Sequence, residues 1–258
     1  MIEQLKLYDV KSPKLRLGND ADGGYVVTQE ILNKSTALFS YGVGSDISFE
    51  LDYVKKTNKS SFFYDHTVNS PEIPEKYSHL MFFKKEGLSY KKEDMLNSFF
   101  SHYDESGVKG KVLLKMDIEE NEFSFFLNTD IEKLSTLVSG IVVEFHLLGR
   151  EENFNNFFKI LEKLNKYFYH CHLHANNYAG SLIYHEYDIE FILPHVLELT
   201  FTNKDIVPYN GNFFEKIFKY DNKVPLDMGE FPTEHDRKND WNRPDHSLSF
   251  INTINKLQ

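Results

Sequence analysis

Apolar and polar positions along the chain follow two alternating patterns. Short runs of β-branched, aromatic and aliphatic residues predict strands, and between them apolar residues recur every three or four positions, as on one helix face. Such helices are predicted around 47–54, 91–102 and 151–167. The predicted strands are 25–28, 37–41, 61–64, 79–83, 111–116, 140–146, 168–175 and 196–202. This alternation is typical of an α/β fold, a mostly parallel sheet covered by helices.

We expect one domain over residues 1–258, with a core at 37–204 between an N-terminal extension, 1–36, and a C-terminal extension, 205–258. The last segment is polar and rich in Asp, Asn and Pro. The N-terminus has no continuous apolar run, and the most apolar stretch, 141–148, is interrupted by Glu144 and His146. We therefore expect neither a signal peptide nor membrane insertion, and we predict a cytoplasmic protein.

Charge and cysteine content narrow the functional classes. The chain has 29 Lys and Arg against 39 Asp and Glu, a net charge of −10, which disfavours a broad nucleic-acid surface because phosphate backbones repel it. Cys171 is the single cysteine, which excludes an internal disulfide and a thiolate metal cluster. A small-molecule substrate is the expected partner.

Two glycines follow the first core strand, and an acid follows the second. Gly42 and Gly44 can form a tight turn that lets a ligand approach the backbone, and Asp65 lies 21 residues after Gly44, where a carboxylate can bind both ribose hydroxyls. Ile47 occupies the position of the third glycine in a dinucleotide fingerprint, which argues against a tightly held pyrophosphate. Together these residues predict a nucleoside site, against the alternative of a plain turn and a surface aspartate.

The segment Asp22-Gly23-Gly24-Tyr25 predicts a tight turn. An EF-hand register would place Gly18 and Gln29 at positions that need oxygen ligands, so the calcium reading fails. The turn instead presents backbone amides and Tyr25 to a ligand, or it is a simple hairpin turn.

Acids and histidines also follow the later strands. Asp117 ends one strand, and Glu144 and His146 share a face at the end of the next, so all three are expected at the ligand edge of the sheet. A structural salt bridge is the alternative, because buried charges are otherwise costly. Asp117 and Glu144 could also hold Mg or Mn.

Three histidines alternate in the strand at 168–175. By strict alternation His170, His172 and His174 share one face, and His174 lies nearest the strand end. A zinc triad is one interpretation, but we predict His174 as a proton acceptor and the other two as structural.

Few cationic groups are available for an anionic substrate. Arg16, Arg150 and Arg243 are three of four arginines, and each is a candidate partner for an anionic group, with an ordinary surface role as the alternative. Asn176, just beyond His174, is a further candidate substrate contact.

Taken in order, these motifs resemble the FkbM-type S-adenosylmethionine-dependent methyltransferases over roughly residues 14–180. The resemblance is closest to bacterial members found with capsule and surface-polysaccharide genes, which methylate sugar hydroxyls. It implies a Rossmann-like class I methyltransferase fold with a mostly parallel seven-stranded sheet and helices on both faces. The segments that carry it are Asp22-Gly23-Gly24-Tyr25, Gly42-Val43-Gly44, Asp65, Leu114-Lys115-Met116-Asp117-Ile118-Glu119 and Val143-Glu144-Phe145-His146.

The resemblance also assigns roles by position. Gly42 and Gly44 would underlie the methionine part of the cofactor, Asp65 would hold its ribose, and Asp117 would stand beside the methyl group. Glu120 occupies a position where the family usually has glycine. The catalytic candidates are Asp117, from the resemblance, and His146 or His174 as the base, from their positions at the strand ends. The cofactor-binding residues implied are Gly23, Gly24, Tyr25, Gly42, Gly44, Asp46, Asp65, His66, Gly87, Leu88 and Asp117.

The resemblance implies O-methylation of a sugar hydroxyl, and we expect the sugar to be nucleotide-linked and used in capsule or surface-polysaccharide biosynthesis. A homodimer is one expected assembly. A metal-dependent hydrolase built on Asp117, Glu144, His146 and His174 is the alternative, but it leaves the glycine turn and Asp65 unexplained. A non-catalytic binding module and a nicotinamide-dependent oxidoreductase are weaker alternatives, the latter because of Ile47.

Overall fold

The computed structural model describes residues 4, 7–19, 23–176, 181–186, 189–207 and 209–212. Its strands are β1 (Tyr8–Val10), β2 (Lys14–Leu17), β3 (Tyr25–Thr28), β4 (Ala37–Tyr41), β5 (Ser60–Tyr64), β6 (Met81–Lys84), β7 (Gly87–Ser89), β8 (Leu96–Ser98), β9 (Val112–Met116), β10 (Val138–Phe145), β11 (Phe168–Ala175), β12 (Ser181–Glu186), β13 (Ile189–Pro194), β14 (Leu197–Asn203) and β15 (Tyr209–Asn212). Its α-helices are α1 (Gln29–Lys34), α2 (Ser48–Thr57), α3 (Phe99–Ser106), α4 (Asn121–Asn128), α5 (Ile131–Leu137) and α6 (Glu151–Leu164).

Seven strands form the central sheet in the order β11-β14-β10-β9-β4-β5-β6. The pairs β10–β9, β9–β4, β4–β5 and β5–β6 are parallel, whereas β14 is antiparallel to both β10 and β11. The carboxyl ends of β4, β5, β9 and β10 therefore meet at one edge. This Rossmann-like arrangement confirms the predicted fold class.

Both faces of the sheet are covered, because its central strands alternate apolar side chains between two cores. One core joins residues of α3, α4, α5 and α6 to one face, and the other joins residues of β3, α1 and α2 to the opposite face. All residues of β4, β9 and β10 are buried, as expected for central parallel strands. The face opposite α3 to α6 thus carries α1, α2 and β3.

Helix boundaries follow from local side-chain chemistry. Thr28, Ser98 and Asp130 accept the first free amides of α1, α3 and α5, the usual role of an N-cap residue. Asn58 and Gly107 end α2 and α3 in the left-handed conformation.

Four two-stranded sheets surround the central one: β1–β15, β2–β3, β12–β13 and β7–β8, the last parallel. The β2–β3 ribbon matters for the site, because it carries residues 25–28 onto the face of β10 and β14. Its Thr28 and Val26 contact Thr202 and Thr200 of β14.

Most predicted strands are confirmed within two residues. The predicted helix at 91–102 is wrong in its first half, where Leu96–Ser98 forms β8 and the helix begins only at Phe99. Ser98 caps α3, and this capping residue sets the boundary. The helices α4 and α5, the β12–β13 hairpin and the β1–β15 pair are not predicted by the pattern.

None of the helices in the described residues is long and apolar enough to cross a membrane.

Candidate active site

A cavity of about 580 Å³ opens at the carboxyl ends of β4, β5 and β9. Nine of the eleven predicted cofactor-binding residues line it, and Gly24 and Tyr25 lie outside the lining. The nine are Gly23, Gly42, Gly44, Asp46, Asp65, His66, Gly87, Leu88 and Asp117. Residues from four loops and from strand β7 thus surround one cavity.

The glycine turn after β4 forms the floor of this cavity. Gly42 has φ +72° and packs so closely on β9 that a Cβ atom there would lie 1.6 Å from the carbonyl oxygen of Asp117. Gly44 has φ +55°, but a Cβ atom there would meet nothing within 4 Å. The first glycine is therefore required by packing, and the second leaves open space beside the backbone.

Asp65 is fixed at the end of β5 by donors from two loops. Its Oδ2 accepts from the Gly44 amide at 2.9 Å, and its Oδ1 accepts from the Thr67 amide at 2.7 Å and hydroxyl at 2.6 Å. Burial favours a higher pKa, but these hydrogen bonds outweigh it and lower the pKa of Asp65 below its ordinary value. The side chain is an oriented, ionised acceptor at the cavity wall.

Next to Asp65, residues of β7 and β8 form one wall of the cavity. At Gly87 a Cβ atom would lie 2.6 Å from both His66 Nδ1 and Leu96 Cδ2, so only glycine allows this close packing. Leu88 and Tyr64 continue the wall. This end of the cavity combines apolar side chains, Leu88 and Leu96, with the ring of Tyr64.

Tyr25 joins two carboxylates at the opposite end. Its hydroxyl lies 2.9 Å from Asp117 Oδ2 and 2.8 Å from Glu144 Oε2. One hydroxyl hydrogen can serve only one acceptor, so two short contacts require a second proton on a carboxyl group. Burial, followed by the charge of Asp117, raises the pKa of Glu144 to about 7, so Glu144 is the carboxyl group that gains a proton more readily than an ordinary glutamate. The three groups form one hydrogen-bonded unit.

His146 lies among acids rather than beside a free acceptor. Its Nδ1 is 3.1 Å from Glu122 Oε1, and its Nε2 is 3.6 Å from both Asp117 Oδ1 and Glu119 Oε2. Burial alone lowers its pKa, but the hydrogen bond to Glu122 and the charges of Glu122, Glu144 and Asp117 raise the pKa to about 9. A metal-free site therefore holds His146 as an imidazolium at neutral pH.

The prediction that three histidines share a face is wrong. A β-bulge at Cys171 shifts the register, so His170 pairs with Phe201 whereas His172 pairs with Thr200 and His174 with Glu198. His170 stacks on Phe201 within one core, and burial lowers its pKa to about 3. Only two of the three histidines lie on the face of the site, which removes the basis for a zinc triad.

His174 lies on β11 and is outside the cavity lining. It pairs with Glu198 across the strands, and two residues later Asn176 donates from Nδ2 to Glu144 Oε1 at 3.0 Å. The predicted substrate contact Asn176 thus holds a carboxylate of the site.

Arg16 and Arg150 lie outside the cavity lining. Arg16 donates from Nε to the Asn19 carbonyl at 3.0 Å, and the exposed Arg150 pairs with Glu120. Arg243 lies outside the described residues. A role for these arginines in substrate binding stays a prediction.

Three acidic and basic residues were missed by the sequence reasoning. Lys115 and Glu50 line the cavity although both are buried, and Glu122 is fully buried beneath His146. The sequence holds a signal for two of them. Lys115 interrupts an apolar strand, and Glu122 lies four residues after Ile118. In the structure, Glu122 Oε1 accepts a hydrogen bond from the Ile118 amide at 2.9 Å. The position of Glu50 on a mixed helix gave no comparable signal.

A possible cation site lies at the same edge. Ligand atoms of Asp117, Glu119 and His146 lie within 4.8 Å of one another, and the Glu122 contact fixes the ring of His146. Carboxylate oxygens suit Mg and Mn. Glu144, predicted as the second ligand, lies outside this group and is held by Tyr25 and Asn176.

Comparison with known proteins identifies the family to which the sequence is similar. The sequence matches the family model described as the methyltransferase FkbM domain over residues 19–171, more than half of the 258 residues. None of the curated proteins matches the chain. Among solved structures, the chain is similar to the fibrillarin pre-rRNA processing protein of Methanococcus jannaschii, at 11% identity and a TM-score of 0.35, covering 67% of this chain and 68% of that one.

Proposed function

This chain belongs to the methyltransferase FkbM domain family, and we propose that it transfers a methyl group from S-adenosylmethionine to a hydroxyl group of a sugar. The observation that carries the proposal is one cavity lined by Asp65, Gly87 and Leu88 as well as by Asp117, the member of the Tyr25 carboxylate unit that reaches the cavity. A metal-dependent hydrolase would not require the nucleoside-type wall formed by Asp65, Gly87 and Leu88.

The residues present fit the cofactor. Asp65 is an acceptor with a lowered pKa at the cavity wall, suited to ribose hydroxyls, and Gly87 and Leu88 offer a wall of small and apolar residues for adenine. The open space beside Gly44 accommodates the chain that carries sulfur. When bound, S-adenosylmethionine supplies an electrophilic methyl group on a positively charged sulfur.

The charges of the cluster favour a cation. Four carboxylates, from Asp117, Glu119, Glu122 and Glu144, face the cations Lys115 and His146. The raised pKa of Glu144 lowers the negative charge of the cluster but does not remove it. A sulfonium or a divalent ion is therefore electrostatically stabilised at this end.

Methyl transfer needs an aligned hydroxyl and a proton acceptor, with little covalent help from the protein. Because His146 already holds a proton in the metal-free site, we assign it to holding Asp117 and Glu119 in place. We retain His174 as the predicted base. Asp117 is the carboxylate that both lines the cavity and belongs to the hydrogen-bonded unit.

We further propose a divalent ion at the acidic end, with Asp117 as the ligand common to both candidate sets, Asp117 with Glu144 and Asp117 with Glu119 and His146. Such an ion, when bound, would orient and acidify the acceptor hydroxyl. Titration of Mg into the EDTA-treated protein tests this proposal. Binding that is lost in Asp117→Asn supports it, and no binding at millimolar Mg contradicts it.

We propose a nucleotide-linked sugar of surface polysaccharide as the acceptor and the cytoplasm as the compartment. The support is the resemblance to capsule-associated members of the family and the net charge of −10, which disfavours nucleic acid. Screening sugars and nucleotide sugars for formation of S-adenosylhomocysteine tests the substrate class. Product formed only with an RNA acceptor would contradict it.

Calorimetric titration with S-adenosylhomocysteine tests the cofactor assignment. We expect micromolar binding that Asp65→Ala weakens at least tenfold, and unchanged binding in Asp104→Ala, which removes an exposed aspartate from α3. His174→Ala should lower turnover and leave binding intact. Absence of binding to the folded wild-type protein would refute the proposed function.

A further inference from the structure

His102 of α3 lies behind one wall of the cavity, where its side chain is 0% exposed. We infer that His102 is a positioning residue for this wall: its neutral form holds the wall together, and its protonation loosens the wall and lowers the affinity for the ligand. The inference rests on the proposed function and deepens it, because it gives the ligand cavity a control by pH.

Two segments of the wall contact the His102 ring. Its Nε2 lies 3.0 Å from Glu86 Oε2, and Glu86 directly precedes Gly87, which lines the cavity. The ring also stacks on Tyr64, with the ring centroids 4.1 Å apart and the planes at 23°. Tyr64 lines the cavity at the end of β5, just before Asp65. One side chain therefore connects the end of β5 to the start of β7 from behind the wall.

The hydrogen bonds of His102 define one neutral tautomer. Burial favours a higher pKa of Glu86, but hydrogen bonds with His102 and Lys84 outweigh it and lower that pKa. Glu86 is therefore an ionised acceptor, and His102 Nε2 carries the hydrogen. Burial raises the pKa of Tyr41, so its hydroxyl keeps its own hydrogen and donates it to His102 Nδ1 at 3.1 Å. Both ring nitrogens are thus satisfied without a second proton.

A proton on Nδ1 would disrupt this arrangement. The protonated nitrogen can only donate, so the Tyr41 hydroxyl would lose its acceptor, and Nδ1 is its only hydrogen-bond partner among the described residues. A buried donor without an acceptor costs free energy. Burial, opposed by the hydrogen bond to Glu86, accordingly lowers the pKa of His102 below its ordinary value of 6.5. The stability that depends on neutral His102 is therefore lost as the pH falls below 6.5.

The charges around His102 act in both directions and largely offset one another. Glu86 and Glu105 favour its protonation, whereas Lys84 opposes it. Lys84 Nζ lies 3.0 Å from Glu86 and 2.8 Å from Glu105, so it neutralises much of their attraction for a proton. The titratable groups that face His102 are Tyr41 of β4, Tyr64 of β5, Lys84 of β6, Glu86 and, on α3 itself, Glu105.

A purely structural histidine gives a different expectation. Its replacement would change the free energy of unfolding and leave the pH dependence of ligand binding as it is in the wild type. The other titratable groups of the cavity, His66 and Glu144 among them, are present in both proteins, so the difference between the two pH profiles reports His102 alone.

The first experiment measures the calorimetric affinity for S-adenosylhomocysteine at about pH 8 and about pH 5. His102→Gln keeps a donor for Glu86 and an acceptor for Tyr41 but cannot be protonated, so at the higher pH it should bind within about threefold of the wild type. Between the two pH values the wild type should lose at least about threefold more affinity than this variant. The matched control His79→Gln replaces an exposed histidine and should follow the wild type.

The second experiment uses only the wild-type protein and so does not depend on the folding of a variant. Nitrogen NMR of the His102 ring, assigned through its contact with Tyr64, should show the Nε2–H tautomer in the free protein at about pH 8. Because linkage is reciprocal, saturating S-adenosylhomocysteine should move the midpoint of the His102 titration to lower pH.

The outcomes separate this inference from the proposed function. Binding of S-adenosylhomocysteine with equal pH profiles in the wild type and His102→Gln would overturn the inference and leave the proposed function standing. An Nδ1–H tautomer, or a titration midpoint that the ligand does not move, would overturn it in the same way. Failure of the wild-type protein to bind the ligand at either pH would overturn the proposed function itself.

Discussion

The two glycines of the turn after β4 allow a matched test of what each one does. Replacing Gly42 with alanine places a Cβ atom 1.6 Å from the Asp117 carbonyl oxygen, whereas the same change at Gly44 meets nothing within 4 Å. Both residues have positive φ, so both variants share the conformational cost. We expect Gly42→Ala to impair mainly folding and Gly44→Ala to impair mainly ligand binding.

The magnitudes follow from these two terms. A left-handed conformation costs a residue with a side chain about 1–2 kcal/mol, and the lower entropy of the unfolded alanine chain offsets about 0.4–1 kcal/mol. Gly44→Ala should therefore cost about 1 kcal/mol of stability. Gly42→Ala adds about 1–3 kcal/mol of overpacking, because backbone rather than a flexible side chain must move, for a total of about 2–4 kcal/mol.

The assay has two readouts for each variant. Urea denaturation gives the free energy of unfolding, of which a loss of 2–4 kcal/mol is a large part in a typical domain. Calorimetry with S-adenosylhomocysteine gives affinity, which should fall at least tenfold in Gly44→Ala because the new methyl group projects into the cavity. A tenfold loss corresponds to about 1.4 kcal/mol.

The reasoning fails if the two variants unfold with the same free energy, since the close approach of Gly42 to β9 would then have no energetic meaning. It fails separately if Gly44→Ala binds as tightly as the wild type, because the space beside Gly44 would then not be the ligand space.

Three further predictions concern stability. Glu120 has φ +77° at a position where glycine is expected, so Glu120→Gly should raise the free energy of unfolding by about 0.5–1 kcal/mol, whereas Glu120→Ala should not, as thermal melts can show. Lys163 donates to three carbonyls at the end of α4, so Lys163→Met should lower the free energy of unfolding in urea by about 1–3 kcal/mol. The control Lys166→Met changes an exposed lysine just after α6 and should leave the free energy of unfolding unchanged. In EDTA, His146 has a folded pKa of about 9 above its ordinary 6.5, so its stabilisation is complete below about pH 6.5 and lost as pH rises through 9. Glu144, with a pKa raised from 4.5 to about 7, costs stability as pH rises through that window, so urea unfolding should show a fall from pH 5 to 9 whose lower part Glu144→Gln removes; a flat profile would contradict both shifts.

Local signals predicted the edge of the sheet well. Strand ends are marked by apolar runs that stop at Gly42, Asp65 and Asp117, and each of these residues lines the cavity. Such positions depend on the chain within a few residues of them, which is why alternation and glycine spacing find them. The parallel order of the strands then brings them together without further information.

Features set by distant pairs were not predictable in the same way. The bulge at Cys171 is one extra residue within a regular pattern, and it becomes visible only in the pairing with β14. It moves His170 from the face of the site to the opposite core. The strand β8 was likewise hidden, because Leu96–Ser98 has the apolar spacing of a helix until Ser98 caps α3.

The chemistry of the cluster depends on the longest of these pairings. Tyr25 reaches Asp117 across 92 residues and Glu144 across 119, because the β2–β3 ribbon lies over β10 and β14. Strand alternation correctly gave Glu144 and His146 one face, but the protonation states depend on what else that face contacts. Burial and the charge of Asp117 raise the pKa of Glu144, whereas the hydrogen bond to Glu122 from α4 helps to raise the pKa of His146. A histidine that the spacing indicates as a base thus becomes, in the folded metal-free site, the cation that holds the carboxylates together.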